Sequence, residues 1–108
     1  LRYEQLLDGV VVTPAVPDGS TSAWAQYTIR VANRDGVAAG LRDQGVPTAV
    51  YYPRPLHRQT AYADFPMAPS MASSEQAADE VLSLPMHPYL DESTQGWIIE
   101  AVRAALPG

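Results

Sequence analysis

The sequence predicts a two-layer α/β sandwich in which helices cover one face of a small antiparallel or mixed sheet. Residues 24–31 alternate between apolar and polar positions with the period of a β-strand. Apolar residues recur at helical spacing after Asp91, a good helix N-cap. The stripe of this last helix is Trp97, Ile98, Ala101, Val102 and Ala105. Strands with helices packed on one side form two layers around one core. The expected core is Ala25, Tyr27, Ile29, Val31, Leu41, Val50, Ile98 and Val102.

Composition indicates a single globular domain and excludes several classes of protein. The 108 residues are 46% hydrophobic and 18% charged, which is typical of a folded chain. A net charge of −5 argues against nucleic acid or an anionic membrane as partner. No apolar run approaches the ~20 residues of a membrane helix. The absence of cysteine excludes disulfides and suits a cytoplasmic protein.

The first residues have the pattern of a helix that ends early. Tyr3 and Leu7 lie at helical spacing, and Gly9 suits the position after a helix C-terminus. The chain starts within this pattern and without an initiator methionine. We therefore expect residues 1–8 to be the end of a helix that leads in from a larger domain, and residues 9–108 to form a C-terminal small domain.

Two strands are predicted before the first complete helix. A β-branched run over 10–13 is closed by Pro14, and a turn-rich loop over 15–23 separates it from the alternating strand 24–31. One face of that strand supplies core residues. The other face should meet solvent, another domain or a ligand, and consists of Trp24, Gln26, Thr28 and Arg30.

A helix and a third strand follow. Asn33 is a suitable N-cap for a helix over 34–44, and Gly45 suits its C-terminal end. The apolar run 46–52 is β-prone and predicts a strand. Pro53 should end that strand, because proline cannot donate a hydrogen bond to a sheet.

The second half of the chain begins with an irregular, proline-rich loop over 60–72. Ser73 and Gln76 have the spacing of a capping box and predict a helix over 73–81. A short extended run over 82–86 follows and precedes the last helix.

Residues 51–59 form a stiff segment, here called the elbow, that concentrates polar side chains. Its two prolines restrict the backbone, and it carries two phenols, two guanidiniums, an imidazole and an amide. This composition suits a polar ligand, although an ordinary solvated loop can have it too. The elbow has neither metal-ligand spacing nor a nucleophile–base pair.

Three motifs occur in a fixed order along the chain: GVPTAVYYP at 45–53, PLH-x-Q at 55–59 and VLSLPMHP at 81–88. Together they closely resemble the C-terminal small domain of the DegT/DnrJ/StrS sugar aminotransferases. These are pyridoxal-phosphate enzymes of fold type I. The strand at 24–31 is also similar to that family, so the resemblance covers nearly the whole chain.

The resemblance implies a homodimer that transfers an amino group from an amino-acid donor to a keto-sugar nucleotide. In the family, a lysine of the large domain forms the Schiff base with pyridoxal phosphate. All seven basic residues of this chain are arginine. We therefore expect no catalytic, cofactor-binding or metal-binding residue here, and no activity from this chain without the large domain that would be its partner.

By the same resemblance, the PLH-x-Q segment approaches the sugar, which assigns substrate contacts to His57 and Gln59. Their neighbours Tyr52 and Arg58 are further candidates for substrate binding, and Arg58 could pair with a diphosphate. His87 also matches the family, and we expect it to fix the turn between a strand and a helix.

Other functions remain open at this stage. Some members of the family replace the Schiff-base lysine and act as dehydratases, and some relatives are regulatory. The position that distinguishes these cases lies outside the chain. A stand-alone ligand-binding or interaction module with this fold is a third alternative.

Overall fold

The computed structural model describes residues 2–87 and 89–106. Within them, four α-helices and a two-stranded antiparallel sheet make up the small α/β fold that the sequence predicts. No helix of this described part is long and apolar enough to cross a membrane. The elements are α1 (Arg2–Leu7), β1 (Tyr27–Arg30), α2 (Arg34–Asp43), α3 (Ala72–Glu80), β2 (Val81–Leu84) and α4 (Glu92–Ala105), with two 3-10 helices at Leu56–Arg58 and Thr60–Tyr62.

The sheet has one apolar and one polar face. Tyr27 of β1 lies opposite Leu84 of β2, and all members of this face are buried. On the other face, Thr28 lies opposite Ser83, and their hydroxyl oxygens are 2.7 Å apart. Successive side chains of a strand point to opposite faces, so the apolar face packs on the helices while the polar face is left for other contacts.

The strand predicted over 10–13 is wrong in extent. Only Val12 pairs with β1, through two backbone hydrogen bonds with Arg30 of 3.2 and 3.0 Å. Pro14, two residues on, has no N–H to continue the ladder. The segment therefore flanks the sheet at a single residue.

The strand predicted over 46–52 is also reduced to a single bridge. Ala49 and Ser83 exchange backbone hydrogen bonds of 3.1 and 2.9 Å. Pro47 and Pro53 lack the N–H groups that further pairing needs. The residues after Ala49 consequently leave the edge of β2 and enter the elbow.

The alternating strand starts later than predicted, because the backbone turns at Trp24. This residue has a φ of 49°, a left-handed conformation that extended strands do not adopt. Ala25 is exposed as a result, so its assignment to the core was wrong. The Trp24 ring instead packs against the core, with its centroid 5.1 Å from that of Tyr27.

The core lies between the apolar face of the sheet and helices α1, α2 and α4. It confirms the assignment of Tyr27, Ile29, Val31, Leu41, Ile98 and Val102. Val50 is half-buried against this cluster. Helix α1 contributes two fully buried residues, Tyr3 and Leu7, and the Tyr3 hydroxyl donates to the Pro85 carbonyl at 2.7 Å. The remaining members are Val37, Val46, Leu82, Leu84, Ile99 and Ala101.

Helix α2 ends as the glycine predicts. Gly45 has a φ of 78°, and its N–H donates to the Arg42 carbonyl at 3.0 Å. The Val46 N–H donates to the Leu41 carbonyl at 2.9 Å, which completes a Schellman motif. Asn33 is the N-cap as predicted, but its side chain makes no capping hydrogen bond.

The capping box predicted at Ser73 and Gln76 is wrong. Helix α3 begins at Ala72, its N-cap is Met71, and no side chain caps it. Ser73 therefore lies inside the first turn, where its hydroxyl is past the capping position. The helix runs directly into β2 without a loop.

Helix α4 begins as predicted but presents a slightly different face to the core. The Asp91 carboxylate accepts a hydrogen bond of 2.7 Å from the Thr94 N–H, and this bond holds the pKa of Asp91 below its ordinary value. Trp97, expected in the stripe, is 50% exposed, whereas Ile99 is buried. The buried face of α4 therefore contains Ile99, whereas Trp97 lies at its edge, half exposed.

We expect Ile98→Ala to destabilise the domain. Ile98 is buried between α4 and the sheet, and truncating a buried isoleucine costs about 2–5 kcal/mol of unfolding free energy. Urea denaturation measures this loss. Glu100→Ala, at an exposed position of the same helix, is the control and should stay within about 0.5 kcal/mol of the parent. Equal stability of the two variants would contradict the packing described here.

Candidate functional site

The elbow turns sharply where the chain leaves the sheet. Pro55 is the N-cap of the 3-10 helix Leu56–Arg58, with φ −58° and ψ 152°. The Arg58 N–H donates to the Pro55 carbonyl at 2.9 Å, and the Gln59 N–H donates to the Leu56 carbonyl at 3.1 Å. Proline restricts the backbone before this turn, so the side chains of the next residues are presented from a fixed base.

The four predicted substrate-binding residues differ in accessibility. Tyr52 is 74% exposed, and the Arg58 side chain is 62% exposed. The His57 side chain is only 9% exposed. Gln59 is half-buried, and its amide nitrogen lies 3.4 Å from the Arg54 carbonyl oxygen. The residues that the resemblance assigns most directly to the sugar are therefore less accessible than their two neighbours.

A carboxylate of α3 brings two of these residues together. Oε1 of Glu75 lies 3.1 Å from Nε2 of His57, accepts a hydrogen bond of 2.9 Å from Nε of Arg58, and forms an ion pair with Nη2 of Arg58 at 2.8 Å. Sequence reasoning missed Glu75. An acidic residue in the first turn of a helix is explained by the helix dipole alone, so no sequence signal indicated that Glu75 contacts the elbow.

The hydrogen bonds to Glu75 favour its ionised form. The bond from His57 is the largest cause and that from Arg58 the next, and together they hold the pKa of Glu75 below its ordinary value of 4.5. Glu75 is thus a carboxylate at neutral pH. Its charge compensates the Arg58 guanidinium beside it.

Two of the pockets that residues of the elbow line differ in chemistry. The first, of about 290 Å³, is charged and is lined by Pro53, Arg54, Pro55, Arg58, Glu75 and Asp79. The second, of about 110 Å³, lies over the polar face of the sheet and has no charged residue in its lining. Its polar groups are those of Gln26, Thr28, Tyr51, Tyr52 and Ser83. The first pocket therefore combines two guanidiniums with two carboxylates, and the second combines hydroxyl and amide groups with the apolar side chains of Ala49, Val50 and Val81.

His87 closes a turn, but through its backbone. Its carbonyl accepts a hydrogen bond of 3.2 Å from the Leu90 N–H, while its side chain is exposed. The expected turn is therefore present without the imidazole fixing it. Pro88, the last residue of the third sequence motif, lies outside the described residues.

Metal-ligating side chains do not cluster in the part of the chain that the structure covers. In residues 2–87 and 89–106, no group of three or more histidine, cysteine, aspartate or glutamate side chains is placed to hold a metal ion.

Comparison with known proteins assigns the chain to a family. Residues 1–103 match the DegT/DnrJ/EryC1/StrS aminotransferase family. The chain belongs to this family. The match includes both flanks of the sheet, the elbow and helix α3, so the residues of the candidate site lie within it.

Two curated relatives of the chain carry names of different kinds, one of an aminotransferase and one of a regulatory protein. It is 46% identical over 94 residues to the UDP-2-acetamido-2-deoxy-3-oxo-D-glucuronate aminotransferase of Pseudomonas aeruginosa, an alignment that covers 87% of this chain and 24% of that protein. It is 42% identical over 100 residues to a pleiotropic regulatory protein of Geobacillus stearothermophilus, covering 92% of this chain and 27% of that protein. The chain spans about a quarter of the length of these curated relatives.

Two solved structures share the fold of this family member. A DegT DnrJ EryC1 StrS aminotransferase from Brucella abortus has a TM-score of 0.90 and 48% identity, over 95% of this chain and 28% of that one. DesV of S. venezuelae, solved with a ketimine intermediate, has a TM-score of 0.90 and 32% identity, over 99% of this chain and 30% of that one. The fold is therefore that of the corresponding part of these aminotransferases.

We expect His57→Ala to raise the pKa of Glu75 toward its ordinary value of 4.5, because it removes the contact that lowers this pKa most. NMR titration of the side-chain carboxyl carbon measures this pKa. Asp91 is an internal control, since its pKa is lowered by a separate hydrogen bond from Thr94 and should not change.

The lowered pKa of Glu75 also makes the stability of the folded state depend on pH. A carboxylate whose pKa is lowered by folding stabilises the folded state above its unfolded pKa, and this contribution disappears as the pH falls through the folded pKa. The stability difference between the parent and Glu75→Gln should therefore be present at neutral pH and shrink below pH 4.5. A difference that is independent of pH would contradict the role of the ionised carboxylate.

Proposed function

We propose that this chain is the C-terminal small domain of a pyridoxal-phosphate-dependent aminotransferase. The enzyme converts a keto-sugar nucleotide to an amino sugar with an amino acid as donor. The observation that carries this proposal is the 46% identity to a relative named as an aminotransferase of a UDP-sugar, over an alignment of 94 residues. The chain spans 24% of that relative, so the activity belongs to the longer protein.

The domain division of the longer protein is part of the proposal. Residues 1–8 lead in from a large domain, and residues 9–108 form the small domain. Helix α1 packs into the core of the small domain through Tyr3 and Leu7. The proposed boundary therefore marks the path of the chain and not a break in packing.

The residues of this chain do not fit the anchoring of pyridoxal phosphate. In fold type I aminotransferases, the cofactor is held as a Schiff base with a lysine, and here all seven basic residues are arginine. We propose that the large domain holds the cofactor and that this chain contributes to the binding of the substrate.

The elbow is the proposed contact with the nucleotide sugar. Tyr52 and Arg58 present the more exposed groups, while His57 and Gln59 lie in partly buried positions of the same segment. Arginine pairs well with phosphate oxygens, so Arg54 and Arg58 are the proposed contacts of the diphosphate, beside the carboxylates of Glu75 and Asp79 in the same pocket.

The neutral pocket on the sheet suits the sugar. Its hydroxyl and amide groups both donate and accept hydrogen bonds, as the hydroxyls of a hexose do. Because residues of one elbow line both pockets, one ligand with a charged and a neutral part can occupy both. A nucleotide sugar has this character.

The quaternary structure and location follow the resemblance and are proposed with it. The enzyme is a homodimer that works in the cytoplasm, without nucleic acid or membrane as partner. The net charge of −5 supports the absence of a nucleic-acid partner, since neutralising phosphates requires an excess of basic residues.

A regulatory function is the second candidate. It is favoured by the 42% identity to a protein named as a pleiotropic regulator. Its discriminating test is turnover: a regulator of this kind transfers no amino group from an amino acid to a keto-sugar nucleotide. A dehydratase is distinguished in the same assay, because it releases water from the sugar and leaves the amino donor unchanged.

We expect His57→Ala and Gln59→Ala, made in the full-length protein, each to lower kcat/KM for the nucleotide sugar. One hydrogen bond to an uncharged hydroxyl contributes about 0.5–1.5 kcal/mol, which corresponds to a loss of about two- to tenfold. The half-reaction with the amino donor should not change, because the donor is smaller and does not reach the elbow. Steady-state kinetics of both half-reactions measure this difference.

Gln76→Ala is the matched control for this experiment, since Gln76 is exposed on α3 and lines neither pocket. If His57→Ala impairs both half-reactions equally while the fold is intact, the assignment of the elbow to the sugar nucleotide is wrong.

A further inference from the structure

One carboxylate oxygen orders two consecutive residues of the elbow. Oε1 of Glu75 lies 3.1 Å from His57 Nε2, accepts a hydrogen bond of 2.9 Å from Arg58 Nε, and is 2.8 Å from Arg58 Nη2 in an ion pair. We propose that Glu75 is a positioning residue for substrate binding: it selects which nitrogen of His57 carries the hydrogen, and it fixes the direction of Arg58. This inference rests on the proposed function.

The hydrogen on His57 follows from the chemistry of its partner. An ionised carboxylate only accepts hydrogen bonds, so His57 Nε2 must carry the hydrogen that it donates to Glu75. In the neutral ring, Nδ1 is then the unprotonated nitrogen and can only accept. Glu75 thereby excludes the Nδ1–H tautomer of the neutral ring, and Nδ1 is available as an acceptor for a hydrogen-bond donor.

The acceptor at Nδ1 has no donor within the described residues. This atom is buried and makes no hydrogen bond there. An unsatisfied buried acceptor is costly, and such groups in native proteins are normally paired. A sugar hydroxyl is a donor of the required type, so a ligand hydroxyl at this atom would supply the missing hydrogen bond.

Arg58 is fixed by the same oxygen but stays accessible. Glu75 uses its Nε and Nη2 groups, while the side chain remains 62% exposed. The guanidinium has five N–H donors, so several remain for phosphate oxygens. Because a free arginine loses side-chain entropy when it binds a ligand, holding it in place beforehand favours binding.

The position of Glu75 in the fold makes it a suitable anchor. Residues 49–83 form a loop that is closed at its base by the two backbone hydrogen bonds between Ala49 and Ser83. Glu75 lies on α3, which continues directly into β2. Its contact with His57 therefore links the elbow to the helix that leads back to the sheet. The elbow is therefore held in position relative to the sheet on two sides, by the Ala49–Ser83 pairing and by Glu75.

A purely structural ion pair is the competing explanation. Exposed ion pairs usually contribute little to stability, and removing one would change the unfolding temperature without selecting a tautomer or a substrate. The two explanations therefore differ in a spectroscopic property of His57 and in the response of the two substrates.

The test is Glu75→Gln in the full-length protein, which keeps the side-chain shape and removes the charge. Histidines are labelled with ¹⁵N, the His57 signals are identified by their loss in His57→Asn, and the tautomer is determined from two-bond ¹H–¹⁵N correlations. In the parent protein we expect the Nε2–H form. In Glu75→Gln we expect a mixture of tautomers, together with an increase of about two- to tenfold in KM for the nucleotide sugar and an unchanged KM for the amino donor.

Glu92→Gln is the matched control, because Glu92 is an exposed first-turn glutamate of α4 and lies in neither pocket. It reproduces the loss of a charge at a helix N-terminus and should leave the tautomer and both KM values unchanged. If Glu75→Gln fails to fold, Glu75→Asp retains the charge at a shorter reach, and the same increase in sugar KM is expected at the lower end of the range.

Three results would overturn the inference. The first is an Nδ1–H form in the parent protein. The second is an unchanged tautomer in Glu75→Gln, and the third is a shifted tautomer with no selective change in the sugar KM. If the parent protein turns over no nucleotide sugar, the proposed function fails, and the NMR result still decides whether Glu75 sets the His57 ring.

Discussion

The antiparallel pairing of β1 with β2 is the interaction on which the other parts of the domain depend. Its apolar face is buried against the helices, and its polar face carries the Thr28–Ser83 hydroxyl pair. Ser83 also pairs with Ala49 through the backbone, so β2 holds the segment from which the elbow departs. The same short ladder therefore organises the core on one side and positions the candidate ligand pockets on the other.

The elbow combines a restricted backbone with polar side chains that remain accessible to a ligand. Prolines and the 3-10 helix set its path, while Glu75 reaches it from a distant part of the sequence. Glu75 compensates the charge of Arg58, while the Arg58 side chain remains exposed to solvent. Such an arrangement allows a polar ligand to bind to groups that are already ordered, which lowers the entropy lost on binding.

Features that depend on neighbouring residues could be predicted from the sequence. Asp91 caps α4 and Gly45 ends α2, because both effects act within one turn of helix. Other features could not be predicted in this way. Trp24 adopts a left-handed conformation that non-glycine residues rarely adopt, and Glu75 looked like an ordinary helix-terminal acid although it contacts the elbow. For the site, the sequence located the elbow and its four candidate residues, but their accessibility depends on contacts with α3.

The central claim is that the elbow holds the nucleotide sugar in the longer enzyme. A crystal structure of the full-length protein with an unreactive nucleotide sugar tests it most directly. We predict the diphosphate at hydrogen-bonding distance from Arg54 or Arg58, and the hexose in contact with Tyr52 and the polar face of the sheet, with a hydroxyl bonded to His57 or Gln59. A ligand bound in the active site with no atom within about 4 Å of the elbow would contradict it.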